Sequence, residues 1–82
     1  MKMNGFERAD FTIKESGDRI TGYNVYLTRQ IANNRGRGLA TERVYLTDRK
    51  IEENEIKLED LLGKEVLVSY NRYGKPQTIT LA

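Results

Sequence analysis

Groups able to do covalent or acid–base chemistry are scarce in this chain. It contains no cysteine and no histidine, so no thiol or imidazole is present to act as nucleophile or base near neutral pH. The same absence removes the usual ligands of structural zinc. Glu52, Glu53 and Glu55 lie in a polar stretch, where carboxylates stay solvated rather than pairing as acid and base in a pocket. Gly36-Arg37-Gly38 has neither the lysine of a phosphate-binding loop nor the third glycine of a dinucleotide fingerprint. The residue types therefore predict a non-catalytic protein with no cofactor and no bound metal.

Aromatic and basic side chains together make the stronger constellation. Val25-Tyr26-Leu27-Thr28 and Val44-Tyr45-Leu46-Thr47 are the same four residues twice. Along a strand, successive side chains face opposite ways. With the valines and leucines turned inward, Tyr26, Arg43 and Tyr45 point outward, and on neighbouring strands they share one face. Single-stranded nucleic acids are held this way, by bases stacking on flat rings while cations follow the phosphates. Arg35 and Arg37 alternate with glycine in a loop, from which guanidinium groups reach phosphates. Arg72, Tyr73 and Lys75 form a second aromatic and basic group near the C-terminus. A structural reading stands beside each of these. Outward tyrosines on adjacent strands also pair across a sheet for roughly 0.2–1 kcal/mol, and an arginine-glycine loop also serves as a soluble tip. Tyr23 and Tyr70 read as core-edge residues.

Charge supports a basic surface. The formal total is only +2 over 82 residues, but the charges are unevenly spread. Residues 19–50 hold seven basic side chains against two acidic ones, and residues 51–65 hold six acidic against two basic. A basic middle followed by an acidic segment predicts a basic face hidden in a near-neutral sum.

These groups need elements to position them. Phe11-Thr12-Ile13-Lys14 alternates apolar and polar, which predicts a first strand. Ser16-Gly17-Asp18-Arg19 supplies a turn, and Ile20 to Arg29 follows as the second strand of a hairpin. Asn33 to Gly38 is loop by composition, and Glu42 to Thr47 is the third strand. Ile56 to Leu62 fits a short helix with Leu58, Leu61 and Leu62 on one face and Gly63 as C-cap. Val66 to Tyr70 and Thr78 to Leu81 read as the fourth and fifth strands, joined by a turn through Pro76. The expected fold is mainly β with one short helix, in the order β-β-β-α-β-β. It is a single domain over residues 1–82, a small five-stranded OB-like or SH3-like barrel. In an OB-like barrel the first–second and fourth–fifth loops flank the binding face, which brings Arg72, Tyr73 and Lys75 into the expected site. No stretch is apolar enough to span a bilayer and the first residues are not an apolar leader, so the expected location is cytoplasmic.

Val44-Tyr45-Leu46-Thr47-Asp48, and Gly63-Lys64-Glu65-Val66 followed by Tyr70-Asn71-Arg72-Tyr73-Gly74-Lys75, give the chain a further character. In these segments it resembles the small β-barrel proteins carried by phages and prophages of Gram-positive bacteria. The resemblance implies one of two tasks: handling phage nucleic acid, or binding and blocking a host protein such as a defence nuclease. It transfers no residue roles. The expected partner is thus single-stranded DNA or RNA, with a host or phage protein as the alternative. A homodimer formed through an exposed sheet edge is a third possibility.

Overall fold

The computed structural model describes residues Met1 to Ala82 and is mainly β, with about half of the residues in strands. In chain order the elements are β1 (Lys2–Arg8), β2 (Phe11–Thr12), β3 (Arg19–Ile20), β4 (Gly22–Gln30) and β5 (Leu39–Thr47). There follow α1 (Asp48–Glu53), α2 (Leu58–Leu61), β6 (Val66–Tyr70) and β7 (Pro76–Leu81). The central unit is an antiparallel sheet in the order β1-β4-β5, and β2–β3 and β6–β7 form separate two-stranded ladders.

The β4–β5 hairpin sets the two faces of the molecule. Val25 pairs with Val44, Tyr23 with Leu46 and Leu27 with Glu42, so Val25, Leu27, Val44 and Leu46 gather on one side and are buried. The β6–β7 hairpin covers that side with Val66 and Ile79, and α2 adds Leu58 and Leu61. Fully burying a side chain of this size contributes roughly 1.5–3 kcal/mol. The cover does not extend along the whole hairpin. Beyond Leu27 the core-facing positions are Glu42, Arg29 and Ala40, where Arg29 and Glu42 pair at 3.5 Å, and the molecule is elongated at 46 × 27 × 25 Å.

Three expectations are corrected. First, the strand beside β4 is β1, not Phe11 to Lys14, which contributes only Phe11 and Thr12 to a two-residue ladder with β3. Met3 lies opposite Leu27 and Phe6 opposite Val25, with a bulge between Met3 and Gly5. Residues three apart face opposite ways in a regular strand. The bulge adds one residue and turns both Met3 and Phe6 toward the core. The turn that follows Phe11 to Lys14 does form as expected: the Asp18 carbonyl accepts from the Ile13 N–H at 2.8 Å, and Gly17 takes a φ of 74°.

Second, helix occurs in two short pieces. α1 starts directly after β5, where the Thr47 hydroxyl accepts from the Lys50 N–H at 3.3 Å and caps the first turn. Within the expected Ile56 to Leu62 helix only α2 is helical. Leu58 and Leu61 are buried, but Leu62 is exposed, because the chain has already left helical dihedrals there, at φ −60° and ψ 127°.

Third, the sheets do not close into a barrel. The N-terminal end of the chain meets the stretch entering β6 through Met3 N–H to the Lys64 carbonyl at 3.0 Å, Gly63 N–H to the Met3 carbonyl at 2.7 Å and Val66 N–H to the Met1 carbonyl at 2.7 Å, with one isolated bridge between Lys2 and Glu65. On the other side β7 lies beside β5 without a shared ladder. The result is a curled, open arrangement. No helix is long and apolar enough to cross a membrane.

Candidate functional site

The face of β1-β4-β5 turned away from the core carries the residues singled out by sequence. Tyr26 lies directly opposite Arg43, Thr28 opposite Thr41, and Asn24 opposite Tyr45. Tyr26 and Tyr45 therefore do share one face, as diagonal neighbours. Their environments differ sharply. The Tyr26 ring is 38% exposed, and its hydroxyl makes only a long 3.4 Å bond to Glu7 Oε1 on β1. Beside it, Asn4, Thr28, Thr41 and Arg43 line a shallow depression in the sheet surface. Arg43 makes no ion pair, so its charge faces solvent next to an open ring.

Tyr45 is occupied by the fold. Its hydroxyl donates to the Ala9 carbonyl at 2.8 Å, and Phe11 of β2 packs on its ring at 5.6 Å between centroids. Burial pushes its hydroxyl pKa up, with Asp10 and Asp48 adding negative charge nearby. Gly22 is the close neighbour that permits this. A Cβ there would stand 2.3 Å from the Leu46 carbonyl and 2.8 Å from the Tyr45 hydroxyl, so only glycine fits. Around the same end, Arg8 makes two 2.7 Å bonds to Asp48 and a 3.0 Å contact with Asp10. That pairing holds the Asp48 carboxyl below its ordinary range, led by the Arg8 hydrogen bond and then by one from Thr21. Base stacking on Tyr45 would require the Phe11 arm to leave.

Arg35 and Arg37 sit at the distal tip of the hairpin, in the loop between β4 and β5. The loop is closed by the Ile31 N–H donating to the Gly38 carbonyl at 2.9 Å. The Asn33 side chain accepts from the Arg35 N–H at 2.9 Å, and Gly38 takes a φ of 98° that an L side chain would resist. Both arginines are exposed and make no ion pair. From Tyr26 to Gln30 the strand advances ~13 Å, so Tyr26, Arg43 and the two tip arginines follow one line along the hairpin.

Arg72, Tyr73 and Lys75 do not join that line. They occupy the β6–β7 turn, organised by Asn71, whose side chain accepts from the Tyr73 and Lys75 N–H groups at 2.9 and 3.1 Å. Lys50 of α1 donates to the Pro76 carbonyl at 2.6 Å, which places this turn beside α1 at the opposite end of β5 from the tip. Tyr73 is 74% exposed, with the Arg72 guanidinium 5.2 Å from its ring centre. Of the two residues read as core-edge, Tyr23 packs against the core and edge-on to Phe6 at 5.8 Å. Tyr70 is exposed instead.

The eight arginines divide into two groups. Arg8, Arg19, Arg29 and Arg49 each contact a carboxylate within 4.0 Å. Arg35, Arg37, Arg43 and Arg72, the four read from sequence as phosphate contacts, do not. Three further residues, Asn4, Thr28 and Thr41, belong to the candidate surface. Thr28 was legible from its parity with Tyr26, whereas Asn4 required β1 to be recognised as a strand. No protein-family model matches the chain, and no curated protein or solved structure matches it either.

Proposed function

We propose that this chain is a small non-catalytic module that holds single-stranded nucleic acid along the distal half of its β4–β5 hairpin. The observation that carries this reading is the unbalanced charge: Arg43, Arg35 and Arg37 lie without carboxylate partners along one line that also contains the open Tyr26 ring. In this reading Tyr26 stacks on a base, the three arginines take successive phosphates, and Thr28 and Thr41 offer hydroxyls between them. Such a surface binds with little sequence preference, because every base has a π-face and every nucleotide a phosphate. The OB-like use of a sheet face does not require a closed barrel. Tyr45 serves the fold, and the Arg72–Tyr73–Lys75 turn is a separate, smaller patch.

The test is fluorescence anisotropy of a labelled oligothymidylate titrated at low and moderate salt. The reading predicts saturable binding with a salt slope near −2 on a log–log plot, from roughly −0.7 per phosphate contact. Tyr26→Ala costs roughly 1–3 kcal/mol of affinity. Absence of binding at low salt overturns the reading and turns the search to a protein that recognises the same exposed Tyr and Arg side chains.

A further inference from the structure

We propose that the distal hairpin tip of one copy of this chain docks into an apolar cleft at the opposite end of a second copy. The cleft lies between the core-facing side of β1 and β4 and the segment that contains α1 and α2. Phe6, Tyr23, Ile51, Ile56 and Leu58 form its walls, and its volume is about 350 Å³. This is room for one aliphatic side chain with its neighbours. Glu59 and Asp60 stand on the rim with Lys57, and neither carboxylate is engaged in an ion pair. The rim is thus acidic on balance and the walls are apolar.

The occupant that matches lies on the same chain. Leu39 is 66% exposed at the start of β5, and the loop that leads into it carries Arg35 and Arg37, whose charges have no partner. A hairpin tip that carries one exposed apolar side chain and two free cations is the complement of an apolar cleft beside two free carboxylates. The tip does not reach its own cleft. Tyr23 and Gln30 are the two ends of one straight strand, ~23 Å apart, and the cleft opens on the core-facing side. The contact therefore joins two molecules. Used reciprocally by two copies, it closes with two-fold symmetry. It is small, so it forms at high protein concentration and weakens with salt. It uses the tip and the acidic segment, not the outer sheet edges.

Sedimentation velocity from low micromolar to near-millimolar protein tests the proposal, with two charge-reversed variants. One carries Arg35→Glu and Arg37→Glu, and the other Glu59→Lys and Asp60→Lys. All four side chains are exposed, and circular dichroism checks that both variants fold. The expected result is association of the native chain, each variant alone remaining monomeric, and an equimolar mixture of the two associating again. In the mixture each reversed tip meets an oppositely charged rim. A native chain that stays monomeric to near-millimolar concentration overturns the proposal. So does either variant associating alone like the native chain, or a mixture that remains monomeric.

Discussion

Tyr26 and Tyr45 come from identical tetrapeptides and face the same side of one sheet, yet the fold uses them differently. Antiparallel pairing about Val25 and Val44 sends Tyr26 toward the free tip and Tyr45 toward the base of the hairpin. At the base, Phe11 covers the ring, the Ala9 carbonyl takes the hydroxyl proton, and Arg8 and Asp48 neutralise each other. Toward the tip, the Tyr26 ring and the guanidinium groups of Arg43, Arg35 and Arg37 are left open. A repeated sequence motif solves one packing problem on the inner face, where both valines and both leucines are buried. On the outer face, neighbours far away in sequence decide what each tyrosine does.

The contrast between base and tip is sharpest in side-chain burial. Leu46→Ala is expected to lower stability by about 2–5 kcal/mol, since it empties a fully buried position. Leu39→Ala should stay within about 0.5 kcal/mol. Urea unfolding of the two variants measures the difference, and equal losses would break the distinction. Next in size is Gly22→Ala, whose new methyl meets backbone atoms of Leu46 and Thr47; a loss of about 1–3 kcal/mol follows. Tyr45→Phe removes one partly buried hydrogen bond and should cost about 1 kcal/mol, while Tyr26→Phe should leave the melting curve nearly unchanged.

The smallest effect is in pH. Asp48 has a depressed folded pKa, so its contribution is present above the ordinary carboxylate value and fades as pH falls through the depressed one. Tyr45 has a raised pKa, so its contribution is complete below about pH 10 and fades as pH rises toward the folded value. Stability measured across this range should show both limbs, and Tyr45→Phe should flatten only the alkaline one.

Much of this is legible in the sequence because β4, β5 and β7 carry period-two patterns and β6 is a short apolar run. So is the turn that precedes Pro76, in which Gly74 takes a φ of 77°. β1 was hidden because its bulge places Met3 and Phe6 three residues apart on one face, which destroys the alternation that marks a strand. α1 was hidden for another reason. It has one apolar residue, Ile51, no buried side chain, and depends on a Thr47 cap rather than an amphipathic stripe. The outward direction of Tyr26, Arg43 and Tyr45 followed from parity alone. The covering of Tyr45 did not, since it depends on an arm formed by Ala9 and Phe11, whose place over β5 no local pattern encodes. Nor did sequence place the β6–β7 turn, which lies beside α1 because Lys50 and Asn54 bond the Pro76 and Gln77 carbonyls.

The proposed function requires that the distal half of the hairpin bind nucleic acid and that the base not do so. Titrating the isotopically labelled protein with an oligothymidylate and following its amide and side-chain resonances tests this most directly. The expected result is that the signals of Tyr26, Thr28, Arg35, Arg37, Thr41 and Arg43 move together and saturate, while those of Asn24, Tyr45 and α1 hold still. Shifts centred on Tyr45 or on the Arg72–Lys75 turn, or no shifts at all, would contradict it.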